Sequence, residues 1–120
     1  MKILVTSTGE TLESPVDSRF GRAAKFILFD TVSGQYESID NTQSMNASQG
    51  AGIQAAETVA RLGSRCVITG HCGPKAFRVL SAAGIKIFTT DAATVAEALD
   101  KFRSGHLVES RNADVEGHWA

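Results

Sequence analysis

Cys66-Val67-Ile68-Thr69-Gly70-His71-Cys72-Gly73-Pro74-Lys75-Ala76-Phe77 reads as a strand, a tight turn and the start of a helix. Cys66-Val67-Ile68 is a short apolar run of the kind a strand covered on both faces carries. Gly70 and Gly73 bracket the turn, and glycine accepts backbone angles that other residues resist. Pro74 suits the first helical position, where its missing N–H costs nothing. The turn holds His71 and Cys72, the two most metal-competent side chains, with Lys75 just inside the helix. A helix N-terminus adds unpaired N–H groups and partial positive charge. The stretch is therefore a candidate site for an anion, including one that carries a soft metal. Most strand–turn–helix units of α/β proteins bind nothing at the turn, and neither the P-loop nor the dinucleotide glycine spacing is met. The pattern around the cysteines predicts Cys66 buried in the strand and Cys72 exposed in the turn.

The stretch sits in a chain of 120 residues, a length suited to one domain with a real core. Hydrophobic residues make up 42%, charged residues 21%, and the formal net charge is −1. No global field attracts nucleic acid or an anionic membrane, so neither is expected as a partner. An anion site must come from a local group of bases. Lys2-Ile3-Leu4-Val5 enters strand-like sequence at once, without the h-region of a signal peptide. No apolar run reaches the length of a membrane span. Two cysteines do not make a disulfide framework. A reduced, cytoplasmic protein is expected.

Outward from the central stretch, residues 2–7 read as a first strand. Residues 8–15 carry turn chemistry. Val16-Asp17-Ser18-Arg19-Phe20-Gly21-Arg22-Ala23-Ala24 has no helical or strand period. It is either a surface loop with two solvated arginines and an anchoring phenylalanine, or a guanidinium pair poised for an oxyanion or thio-anion. The residues alone favour the first. Residues 25–30 and 35–40 form a hairpin about Thr31-Val32-Ser33-Gly34, the second strand at a sheet edge. Residues 41–52 are polar. Asn46 or Ser48 is placed to cap the next helix, and Met45 is a loop anchor or a soft contact to a cluster. Gly50 and Gly52, unfavourable near a helix start, make sense where a backbone or ligand approaches closely.

Residues 53–62 are predicted helical, with Ile53, Ala56, Val59 and Ala60 inward and Gly63 as the stop. The helix after Pro74 is expected to bury Ala76, Phe77, Leu80 and Ala83. Ile85-Lys86-Ile87-Phe88 is the next strand. Thr94-Val95-Ala96-Glu97 is a capping box opening a third helix that ends near Gly105. These elements predict one α/β domain over residues 1–107 and a polar C-terminal tail over 108–120. Right-handed crossovers make the strands at 2–7, 66–69 and 85–88 parallel neighbours, with the hairpin beyond the first. Ligands of such open sheets sit beyond the carboxyl ends of the strands. Arg19, Arg22, His71, Cys72 and Lys75 are thereby brought towards one rim.

Phe20-Gly21-Arg22, Gly50-Ala51-Gly52-Ile53-Gln54-Ala55-Ala56, Gly73-Pro74-Lys75-Ala76-Phe77 and Ala83-Gly84-Ile85-Lys86 occur in this order. Together they resemble the dinitrogenase iron–molybdenum cofactor biosynthesis family. The likeness covers essentially residues 1–107 and is greatest to the small stand-alone members of sulfate-reducing bacteria. It implies a ribonuclease H-like fold, a five-stranded mixed sheet with three helices distributed over both faces. It also implies a non-enzymatic carrier or scaffold for a metal–sulfur cluster, specifically a molybdenum–copper sulfide held without covalent attachment, and no nucleotide. Bases and helix N-termini offset the charge of such an anion, and apolar and soft residues tolerate its sulfides. The implied binding residues are Arg19, Phe20, Arg22, Met45, Gly50, Gly52, His71, Cys72, Gly73 and Lys75, with Cys72 and His71 as candidate metal ligands.

Three other readings compete. A ribonuclease H-like nuclease needs carboxylates around two metals, one on the first strand, and Lys2-Ile3-Leu4-Val5-Thr6-Ser7 has none. A mononuclear copper or zinc carrier would use Cys72 with His71, His106 or His118, but adjacent residues point apart. A regulatory module would dock on a partner such as a P-loop ATPase of the MinD type.

Overall fold

The computed structural model describes residues 1–41 and 50–111. Strand β1 (Lys2–Ser7) lies at the centre of a five-stranded sheet. It pairs antiparallel with β2 (Lys25–Asp30), which pairs antiparallel with the edge strand β3 (Tyr36–Asp40). On its other side β1 runs parallel to β4 (Cys66–Thr69), and β4 parallel to β5 (Lys86–Thr89). The order is β3-β2-β1-β4-β5, the mixed sheet expected from right-handed crossovers. Helix α1 (Ala51–Arg61) precedes β4, α2 (Pro74–Ala82) follows it, and α3 (Val95–Arg103) follows β5.

The period of two along the strands sorts the core into two layers. Leu4, Leu28, Val67 and Ile87 share one face with Ala55, Val59 and Leu80 of α1 and α2. Ile3, Val5, Ile27 and Ile68 share the other with Val95, Ala98 and Leu99 of α3. Burying each of the valine, leucine and isoleucine side chains among these contributes about 1.5–3 kcal/mol. Cys66 belongs to the α3 layer at 4% exposure, as its apolar run predicts. Burial pushes its thiol pKa up from the ordinary value.

Several expectations shift. Helix α1 begins at Ala51, not residue 53, and its N-cap is Gly50 at φ 76, a left-handed angle that suits glycine. The proposed caps Asn46 and Ser48 lie outside the described residues. The inward stripe of α1 is Ala51, Ala55, Ala56 and Val59; Ala60 is exposed and Ile53 half-buried. Starting one half-turn earlier, the helix presents its smallest residues to α2 and so packs closely. Ala83 is exposed, because it is the C-cap of α2 and the chain turns away there; Ile85 is the next buried residue. Strand β5 begins one residue late, at Lys86. Residues 106–111 stay beside it: Glu109 bridges Phe88, and the Ser110 N–H donates to the Ile87 carbonyl at 2.7 Å.

Candidate functional site

Residues 16–24 cross the carboxyl ends of β1 and β4 as a pinned strap. The Asp17 N–H donates to the Thr6 carbonyl at 3.0 Å, and the Thr6 hydroxyl donates to the Asp17 carbonyl at 2.7 Å. Asp17 is buried, 4% exposed. Its Oδ1 accepts the Arg19 N–H at 3.0 Å, its Oδ2 accepts the Ala24 N–H at 3.2 Å, and Arg19 Nε stands 3.4 Å from Oδ1. The Phe20 N–H donates to the His71 carbonyl at 3.1 Å, and Arg19 bridges His71 in parallel register. From the far side Asn41 Nδ2 donates to the carbonyls of Gly21 and Ala23 at 3.2 and 2.8 Å. A loop whose polar groups are this fully engaged is part of the scaffold. Of the surface-loop reading, Phe20 is the expected anchor and the Arg19 side chain is 59% exposed, while the backbone is pinned more firmly than that reading implies.

The strap packs down on the two helix starts. Phe20 is 2% exposed and stacks on Phe26 with centroids 6.0 Å apart. A Cβ on Gly21 would lie 2.7 Å from the Cα and N of Gly52, and one on Gly52 would lie 3.2 Å from the Ala76 Cβ. Strap, α1 and α2 therefore meet through residues almost without side chains. Beside that contact opens a pocket of about 430 Å³. Seven of the expected residues line it: Arg19, Phe20, Arg22, Gly52, His71, Gly73 and Lys75. Gly21, Ala51, Pro74 and Ala76 complete the wall and were missed, since alanines and a proline carry no chemical signal of their own.

The other three expected residues are not among the walls described. Gly50 caps α1 and is not a pocket wall. Met45 lies outside the described residues. Cys72 is 1% exposed, in the same buried cluster as Phe20 and Ala76, with its Sγ 3.8 Å from the Gly73 carbonyl oxygen. The expectation of an exposed thiol is overturned: the strap covers the turn, and the sequence of the turn does not reveal its cover. Among the described residues no three His, Cys, Asp or Glu side chains are grouped to hold a metal ion.

The pocket's electrostatics favour an anion. Arg19, Arg22 and Lys75 stand around it. Helices α1 and α2 both start at its wall, both with glycine N-caps, neither with a side-chain cap or an acidic residue in the first turn. Their terminal N–H groups keep their partial positive charge for whatever enters. Gly73 has ordinary angles, φ −73 and ψ 168, and a Cβ there would meet nothing within 4 Å. Neither backbone nor packing calls for glycine at this position; open space at the pocket does. Asp17 and Asn41 position the strap and were missed as functional. The Asp17-Ser18-Arg19 spacing, a carboxylate two residues before the N–H it accepts, was the available signal.

The sequence profile described as dinitrogenase iron-molybdenum cofactor matches residues 1–105. The chain belongs to this family. It is similar to the apo form of the orange protein from Desulfovibrio gigas, with 40% identity, a TM-score of 0.92, and 95% of this chain and 96% of that one covered. An NMR structure of a Thermotoga protein described as NifB-like is 34% identical, with a TM-score of 0.81 over 95% and 98% of the two chains. An uncharacterized protein of Methanocaldococcus jannaschii is 30% identical over 78% of this chain and 85% of its own. Family and neighbours support a carrier of the cluster-binding kind and agree with the mixed five-stranded fold. No helix among the described residues is long and apolar enough to cross a membrane.

Proposed function

We propose that the protein is a non-enzymatic carrier or scaffold that holds an anionic metal–sulfur cluster, a molybdenum–copper sulfide, non-covalently in the pocket between the strap and the starts of α1 and α2. The observation that carries this is the convergence of two uncapped, acid-free helix N-termini with Arg19, Arg22 and Lys75 on one cavity. Backbone N–H groups and guanidinium forks bind anions. Phe20, Ala51, Pro74 and Ala76 give the same cavity apolar walls, suited to polarisable sulfides that water solvates poorly. A cluster whose metals are already saturated by sulfide needs neighbours of the right charge and shape, not protein ligands. Everything this reading requires lies within residues 1–107. A P-loop ATPase of the MinD type is proposed as the partner that collects or loads the cluster.

Anaerobic titration with thiomolybdate and copper, followed by desalting, tests the reading. The expected result is one coloured cluster retained per chain, with retention falling as salt screens the bases. Protein that emerges colourless after desalting contradicts it.

A further inference from the structure

The two edges of the sheet are finished differently. Along β5 the chain returns beside the strand: Glu109 bridges Phe88, and the Ser110 N–H donates to the Ile87 carbonyl at 2.7 Å. Along β3 no strand or bridge among the described residues lies at the outer edge. The register fixes which of its groups face outward. The Asn41 N–H donates to the Ala24 carbonyl at 3.2 Å, and the Asp30 N–H to the Gln35 carbonyl at 2.9 Å. Hydrogen-bonded pairs alternate along an antiparallel ladder. Ile39 and Glu37 therefore bond inward to Phe26 and Leu28, while the main-chain groups of Tyr36, Ser38 and Asp40 point away from the sheet. The strand has no proline, no lysine and an unbroken register, so it lacks three of the devices that blunt an edge.

The side chains along this edge carry one sign. Strand β3 has two carboxylates and no base. Asp40 has Lys25 opposite it, at 3.9 Å. Glu37 has Leu28 opposite it, and its diagonal neighbour on β2 is a second carboxylate, Asp30, itself opposite Lys2. These groups wall a cavity of about 220 Å³ at the hairpin end of the strand, with Leu28 and Tyr36 as its apolar sides. Val32 and Tyr36, two of the large apolar side chains left exposed, belong to the same hairpin.

We infer that β3 docks an extended segment of a partner protein, added antiparallel as a sixth strand, with a lysine or arginine opposite Glu37. The outward N–H and C=O groups supply the ladder and the cavity beside them supplies specificity, the division of labour in strand addition. The aliphatic stem of the basic residue packs on Leu28 and Tyr36, and its cation meets Glu37. A second copy of this chain is the poorer occupant, because it would bring two more carboxylates and no base to the same edge. Tyr36 and Glu37 lie at the opposite end of β3 from Asn41, which reaches the strap. Docking here is therefore independent of what the cluster pocket holds.

The test titrates the ¹⁵N-labelled full chain, without thiomolybdate or copper, with the acetylated and amidated peptide Thr-Val-Thr-Lys-Val-Thr, whose lysine falls opposite Glu37 in the antiparallel register. Saturable binding is expected, with an alternating signature. The amides of Tyr36, Ser38 and Asp40 should move and exchange more slowly, and those of Glu37 and Ile39, already bonded to β2, should change less. The same peptide with glutamate in place of lysine should bind at least about fivefold more weakly. Glu37→Lys should invert that preference, and since Glu37 is exposed the variant should fold as wild type. Ser38→Pro, a substitution that an outward-facing N–H on an edge tolerates, should abolish binding. A peptide N-methylated on the groups that face β3 should fail against the wild-type chain. Absence of binding, shifts without the alternation, or an unchanged preference in Glu37→Lys overturns the inference. A chain that sediments as a dimer and becomes monomeric in Ser38→Pro also overturns it, assigning the edge to a second copy.

Discussion

Helix α3 and the pair α1 and α2 begin in opposite ways. Thr94 caps α3, its hydroxyl accepting the Glu97 N–H at 3.2 Å, and Glu97 places a carboxylate in the first turn. That helix settles its own terminal donors and charge. Helices α1 and α2 begin at Gly50 and Gly73 with neither device, and both open onto the 430 Å³ pocket beside Arg19, Arg22 and Lys75. The chain can build a capped start, and does so on the face away from the pocket. The difference separates a helix end that settles its own charge from two that the proposed reading gives to a ligand.

The contrast can be broken most severely at the contact beneath it. Gly21→Val sets side-chain carbon against the Gly52 backbone, 2.7 Å from where a Cβ would sit. It should cost about 3 kcal/mol of stability and deform the pocket, measured by urea unfolding; stability equal to wild type would show that the strap does not depend on this contact. Arg19→Ala with Arg22→Ala should leave the fold intact but weaken cluster retention roughly thirtyfold, about 2 kcal/mol, with a shallower salt dependence. Equal retention would remove the arginines from the site. Thr94→Ala should do the reverse, costing about 1 kcal/mol of stability without changing retention. Gly73→Ala is the finest probe. It should change stability by only a few tenths of a kcal/mol, the order of small N-cap differences, yet reduce retention several-fold because the methyl group enters the pocket; a variant that retains the cluster as well as wild type would refute the role given to that open space.

Much of this architecture was legible from residues alone. Strands β1, β2 and β4 are built on apolar runs, β-branched in β1 and β4 and aromatic or aliphatic in β2, whose ends match the expected bounds, because burial and period agree there. The Thr94–Glu97 box placed the start of α3 for the same reason. The start of α1 was misplaced because Gly50-Ala51-Gly52 is poor in helix propensity, and the close approach of Gly21 outweighs it. At the site, the bases and glycines were readable once topology put the carboxyl ends of β1 and β4 on one rim. The burial of Cys72 was not. It depends on residues 16–24 docking across strands distant in sequence, and no local pattern encodes such a contact. The role of Asp17 was hidden too, since a lone aspartate in a polar stretch looks solvated until its three hydrogen bonds are seen.

The most direct test of the central claim is an amide chemical-shift map of the ¹⁵N-labelled protein before and after cluster assembly from thiomolybdate and copper. The N–H groups of Ala51, Gly52, Lys75 and Ala76 should move or broaden most, together with the arginine side-chain signals of the strap, while those of Val95, Ala96 and Glu97 at the start of α3 stay in place. A coloured, cluster-bearing protein whose largest changes fall at α3, or nowhere near the starts of α1 and α2, would contradict the account.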